Sequence, residues 1–130
     1  GELSRIMLAI KAILADRDQI ETLIFDEIDV GISGRTAQMV AEKMSYIGNT
    51  HQVICISHLA QIAAMADAHY LIEKSSHKDH TSTDIRMLDT EESVNELARI
   101  LGGVEITDSV RESAAEMKQM AEQVKSGLRA

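Results

Sequence analysis

Two short apolar runs, Thr22-Leu23-Ile24-Phe25 and Gln52-Val53-Ile54-Cys55-Ile56, constrain this chain more than any other feature. Each stops abruptly on a polar pair, Asp26-Glu27 after the first and Ser57-His58 after the second. Neither run alternates between apolar and polar residues. Continuous runs of this length suit strands covered on both faces, as in a parallel sheet. Between them, residues 35–47 read as a helix, because Ala37, Val40, Met44 and Ile47 recur at helical spacing. Gly31 and Gly34 mark the loop before it, Ser33 is a suitable N-cap, and Gly48-Asn49 closes it.

The rest of the chain fits the same architecture. Leu3, Ile6, Met7, Ile10, Ile13 and Leu14 form one apolar face of a helix reaching about Ala15, and Asp16-Arg17-Asp18 breaks the pattern. After His58 a short helix is expected from Leu59 to Ala66, then strands over Ala68 to Lys74 and Thr83 to Leu88, joined as a hairpin by the polar stretch Ser75 to Ser82. A helix over Glu91 to Leu101 is stopped by Gly102-Gly103, and a last helix runs from Asp108 to about Lys125. Its Val110, Met117, Met120 and Val124, with Ser113 in the remaining place, span under three heptads, which suits ordinary docking better than a coiled coil. Helices alternating with strands in this order predict an α/β fold with a mostly parallel sheet flanked by helices and a late hairpin.

Composition narrows the class. The 45% apolar and 26% charged residues are the balance of a globular protein, and 130 residues suffice for one domain with a real core. Aromatics are only 2%, so the core must come from aliphatic residues and seven methionines, and the absence of proline favours long regular elements. A net charge of −8, from 21 acidic and 13 basic residues, gains little from counterion release on a phosphate backbone, so DNA contact through this segment is not expected from charge. The single cysteine, Cys55, cannot build a disulfide framework, and a reducing cytoplasm fits best; its position in an apolar run makes it a small buried hydrophobe. No run approaches the ~18 apolar residues of a membrane span, and no signal peptide is expected.

The chemistry concentrates at the two strand ends. In open parallel sheets ligands bind in the crevice beyond the carboxyl ends of the strands. If the strands are neighbours, Asp26, Glu27 and His58 converge there. Asp29 extends the acidic cluster, and hard oxygen ligands of this kind suit magnesium. Each residue has a structural alternative: an acidic pair after a strand is often a solvated turn, and a histidine there is usually structural or exposed. His51, His77 and His80 show no metal-ligand spacing, and His69 lies in a strand. Ser57 and His58 are not a nucleophile pair, since adjacent side chains of a strand point apart.

Several strings carry a family resemblance. Gly1-Glu2-Leu3-Ser4-Arg5, followed at once by an amphipathic helix, resembles the second half of the ABC signature motif of SMC-like ATPases. TLIFDE, ending at Glu27, resembles their Walker B strand, and ICISH, ending at His58, their switch-histidine strand. The wording DEIDVGISG from Asp26, SHLAQIAAMAD from Ser57 and ARILGG from Ala98 narrows the resemblance to the C-terminal end of the RecN family of bacterial DNA-repair proteins, over nearly the whole chain.

The resemblance implies a single domain over residues 1–130, the C-terminal lobe of an ABC/SMC-type P-loop ATPase head. Asp26 would hold Mg2+, Glu27 would orient or deprotonate the attacking water, and His58 would bond the γ-phosphate of ATP. Gly1, Glu2 and Ser4, at the start of the first helix, would meet a nucleotide held by a second subunit, since backbone N–H groups there suit an anion. Val30 to Ser33 would form the loop crossing the dimer interface, where the family usually ends in Asp and this chain has Ser33. No G-x-x-x-x-G-K-[ST] phosphate loop and no long coiled coil occur in the sequence, which opens with Gly-Glu rather than Met. The expectation is a C-terminal piece of a longer protein, inactive alone, whose partners are its own N-terminal ATPase lobe, a second head and, through the whole molecule, DNA. Other readings are a docking module without chemistry, another SMC-like ATPase head, or a magnesium-dependent hydrolase using Asp26, Glu27 and Asp29.

Overall fold

A computed structural model describes residues 1–17, 19–78 and 80–129. Asp18 in the expected polar break and Asp79 in the expected hairpin loop lie outside the described residues. The order of elements is α1 (Glu2–Leu14), β1 (Thr22–Asp26), α2 (Gly34–Ile47), β2 (Gln52–Ile56), α3 (Ala60–Ala64), β3 (Tyr70–His77), β4 (His80–Met87), α4 (Thr90–Gly102) and α5 (Asp108–Leu128). The fold is α/β, with β1 and β2 paired in parallel and β3 and β4 forming the late antiparallel hairpin.

The core gathers Leu8 of α1, Phe25 of β1, Val40, Ala41, Met44 and Ile47 of α2, and residues of α3, α4 and α5. Ile28, Ile47 and Leu97 are fully buried. Cover is one-sided, which corrects the expectation of strands buried on both faces. Phe25 is buried, and Leu23, Val53 and Cys55 pack partly against the core, whereas Ile24 is 68% exposed and Ile54 and Ile56 are also open. The helices lie on one face of the pair, and the period-two alternation of a strand turns every second side chain away from them. The first helix departs in the same way. Leu3, Ile6, Met7, Ile10, Ile13 and Leu14 are exposed, and it is Leu8 and Ala12, on another side of α1, that meet the core.

The hairpin is longer than its sequence suggests. The expected loop Ser75 to Ser82 is largely ladder, with Ser75 opposite Ser82 and Ser76 opposite Thr81. A 2.6 Å bond between the Ser75 and Ser82 hydroxyls supports the pairing across the strands. His69 precedes β3, and its carbonyl accepts from Leu88 N–H at 2.8 Å to close the base of the hairpin. A capping box then starts α4: the Asp89 side chain accepts from Glu92 N–H, and the Glu92 carboxylate accepts from Asp89 N–H. The same carboxylate pairs with Arg86 of β4 at 2.6 Å, tying hairpin to helix.

Helix α5 docks as expected through Val110, Met117 and Val124, but Ala114 and Ala121 take the places expected of Ser113 and Met120. Ala114 and Ala121 are buried with Val110, Met117, Val124 and Leu128 packed around them, while Met120 is 64% exposed and Ser113 bonds back to the Ser109 carbonyl. Alanines let the helix approach closely, so they and not the larger Met120 mark the seam. Contact of this kind extends to the end of α4, where a Cβ on Gly102 would lie 3.0 Å from Val110.

Candidate functional site

The parallel register sets Asp26 opposite Ile56, so Ser57 and His58 leave β2 beside the corner made by Asp26 and Glu27. The side chains of Asp26 and Glu27 are exposed. Glu27 has φ 57°, the left-handed region, and is the one non-glycine residue with positive φ among the described residues. That conformation costs a residue with a Cβ roughly 1–2 kcal/mol, and it persists where the surroundings over-determine it. Here they do. Ile28, next in sequence, is fully buried; Val30 N–H donates to the Glu27 carbonyl at 3.2 Å; and Arg5 Nη1 donates to the carbonyls of Ile28 and Val30. The turn thereby carries the Glu27 carboxylate outward on a rigid corner.

Asp29 is the residue that sequence reasoning placed wrongly, as part of an acidic cluster. It is buried and turned toward the second strand end. Its Oδ2 accepts from the Ser57 hydroxyl at 2.7 Å and from His58 N–H at 3.0 Å, and lies 3.0 Å from His58 Nδ1. Burial is the largest influence on this carboxyl and pushes its pKa up, but the Ser57 hydroxyl, the His58 N–H and the neighbouring imidazole outweigh it and hold the pKa below the ordinary 3.8. Asp29 therefore stitches the first strand end to the second, and the His58 side chain stands above it, 76% exposed. Ser57 and His58 do converge on one atom, contrary to expectation, because both lie past the end of β2, where strand alternation no longer holds.

The start of α1 reaches the same corner. A Cβ on Gly1 would sit 2.9 Å from both the Glu27 carbonyl and the Val30 side chain, so the approach tolerates only glycine. Ser4 donates a long 3.4 Å bond to the Asp26 carbonyl, and Glu2 occupies the exposed first turn. Gly1, Glu2 and Ser4 are thus gathered with Asp26 and Glu27 within one chain. Ser33 stands at the N-cap position of α2, but its hydroxyl makes no capping bond.

The chemistry available is that of two exposed carboxylates and an exposed imidazole at one end of a sheet. Among the described residues no group of three or more His, Cys, Asp or Glu is placed to hold a metal ion. With Asp29 committed to Ser57 and His58, the three-carboxylate hydrolase reading loses its third ligand. A lone Asp26 still fits magnesium, which keeps several waters and is held by one or two carboxylates plus substrate phosphates. Cys55, between these groups, is inert: burial first, then the charges of Asp29 and Asp26, push its thiol up to about 12. His51 is buried and bonds Thr50, a structural role.

No protein-family model matches the chain. Curated proteins do. It is 46% identical over 126 residues to the DNA repair protein RecN of Bacillus subtilis, covering 97% of this chain and 22% of that protein. It is 47% identical over 125 residues to RecN of Halalkalibacterium halodurans, covering 96% and 22%. To RecN of Treponema pallidum it is 52% identical over 103 residues, covering 79% and 18%. The chain thus spans about a fifth of the length of these relatives, in their C-terminal region. No helix among the described residues is long and apolar enough to cross a membrane. On this breadth of match the chain belongs to the RecN family of DNA repair proteins and corresponds to a C-terminal portion of them.

Proposed function

We propose that this segment is the catalytic edge of an ATPase head that works in DNA double-strand break repair and recombination. The observation that carries the reading is the pairing of β1 and β2, which sets the exposed Asp26-Glu27 corner beside His58. Asp26 would hold Mg2+, whose charge would offset that developing on the phosphates. Glu27, carried outward by its left-handed backbone, would orient the attacking water or take its proton. His58 would contact the γ-phosphate. Phosphoryl transfer rests mostly on such positioning and charge stabilisation. The N-terminal end of α1 would face a nucleotide on a second head, so ATP would clamp two heads and hydrolysis would part them. DNA would be engaged by the whole molecule in the bacterial cytoplasm. The test is Glu27→Gln in a full-length protein carrying this segment. ATP binding is expected to persist while turnover falls roughly 10²–10⁴-fold; wild-type turnover would remove Glu27 from the reaction.

The bare apolar face of the parallel pair, Ile24, Ile54 and Ile56, favours a second reading, in which docking is the main task of this segment. The occupant would be the N-terminal lobe of the same head. Under this reading the 130-residue chain associates with itself as its concentration rises in sedimentation, and a monomer at all concentrations would count against it.

A further inference from the structure

We propose that Asp29 is a positioning residue that fixes the proton of the neutral His58 ring on Nδ1, leaving Nε2 as its working atom. Asp29 Oδ2 lies 3.0 Å from His58 Nδ1 while accepting from His58 N–H and the Ser57 hydroxyl. The oxygen lies off the ring's N–H axis, so the contact is electrostatic rather than a formed hydrogen bond. A bare Nδ1 would still hold its negative end 3.0 Å from a carboxylate oxygen, which is repulsive, and a proton on Nδ1 makes the contact attractive. The carboxylate cannot easily turn away. Asp29 is 3% exposed, and its backbone belongs to the turn pinned by buried Ile28 and by Arg5. Ser57 is held in its turn by Leu59 N–H, which donates to its hydroxyl at 3.1 Å, so the Asp29, Ser57 and His58 arrangement is built from both strand ends.

The consequence concerns what the exposed ring can do. A neutral imidazole with its proton on Nδ1 presents a lone pair at Nε2, which accepts from water or a hydroxyl and cannot donate to a phosphate oxygen. To donate to phosphate, the ring must take up a second proton, and the buried carboxylate is then its counter-charge. The meaning of this for catalysis rests on the ATPase reading above. The tautomer itself does not.

The experiment is long-range 1H–15N correlation of the histidine ring in the 130-residue chain without nucleotide, at about two pH units above the ordinary histidine value of ~6.5. The pattern expected for His58 is a protonated Nδ1 and a bare Nε2, the reverse of what an unconstrained imidazole prefers. Asp29→Ala should return His58 to the Nε2–H form. Ser57→Ala, which removes a bond to the same oxygen but leaves the ring contact, should keep the Nδ1–H form. An Nε2–H pattern in the wild-type chain overturns the inference whether or not Asp29→Ala folds. So does an Asp29→Ala spectrum that keeps Nδ1–H, or a Ser57→Ala variant that flips the ring as fully as the loss of Asp29. None of these outcomes touches the ATPase reading, which is tested separately by ATP turnover in the longer protein.

Discussion

Arg5 and Val30, twenty-five residues apart, are joined by a 2.8 Å hydrogen bond from the guanidinium Nη1 to the backbone carbonyl, and the same nitrogen reaches the Ile28 carbonyl at 3.1 Å. A single cation at the start of α1 thereby satisfies two acceptors of the turn that carries Glu27 and Asp29. Hydrogen bonds to a charged group are worth about 1.5–3 kcal/mol when buried and less near the surface. Arg5→Met, which keeps the apolar stem, is expected to lower unfolding stability by about 1–2 kcal/mol. Urea titration would show this as a lower midpoint at unchanged slope. An unchanged midpoint would mean that water replaces the guanidinium at no cost.

The left-handed backbone of Glu27 separates its proposed chemical role from its structural cost. Glycine adopts φ 57° without the Cβ penalty, so Glu27→Gly should be neutral or raise stability by up to about 1 kcal/mol while deleting the carboxylate. Glu27→Ala deletes the same carboxylate and keeps the strain, so the glycine variant should melt at the higher temperature of the two. Calorimetry of the pair decides it. A glycine variant less stable than the alanine variant would show that residue 27 is not held in the left-handed region.

The parts of the candidate site that lie at strand ends are legible in the sequence, and those made by distant contacts are not. Asp26, Glu27 and His58 announce themselves because an apolar run that stops on a polar residue marks the end of a buried strand. Asp29 reads as one more member of an acidic cluster, since nothing local reveals that Ser57 and His58 will meet it from the next strand. The hairpin was too short in expectation because Ser75, Ser76, Thr81 and Ser82 look like loop residues, yet a ribbon exposed to water pairs polar residues as well as apolar ones. On α5 the expected Val110, Met117 and Val124 do pack, but Met120 stands in the pattern where Ala121 is buried, because Met outweighs Ala in any hydrophobic pattern while close packing prefers the smaller side chain. Lys125 is the extreme case. Its composition class says surface, and only three-dimensional contacts place its ammonium inside.

His69 gives the fold a pH dependence near neutrality. Its Nδ1 lies 2.7 Å from the Ser93 hydroxyl, and burial, with a contribution from Lys118 and against the pull of Glu96, lowers its pKa from the ordinary 6.5. A depressed histidine pKa means that the unfolded chain binds more protons than the folded one below that value. The stability this group contributes is therefore complete above pH 6.5 and is lost as pH falls through the folded value. Unfolding free energy should decline between about pH 7.5 and 5.5, and His69→Asn, which retains a partner for Ser93, should flatten that decline. An equal slope in the variant would assign the effect to other groups.

Two lysines of α5 close the end of α3, the helix that follows His58. Lys118 Nζ donates to the carbonyls of Ala64 and Ala66 at 3.1 Å each, and Lys125 Nζ donates to the Ala66 carbonyl and to Asp67 at 3.3 Å each. A helix of five residues cannot satisfy its own last carbonyls, so these ammonium groups act as its C-terminal cap. Because both bond the Ala66 carbonyl, either can cover for the other. Lys118→Met and Lys125→Met are each expected to cost about 1–2 kcal/mol, and the double variant to cost more than their sum by at least about 0.5 kcal/mol. The excess appears because only the double variant leaves the Ala66 carbonyl without a lysine. A double-mutant cycle in urea measures it directly, and strict additivity would show that the two lysines stabilise α3 independently and share no acceptor that matters.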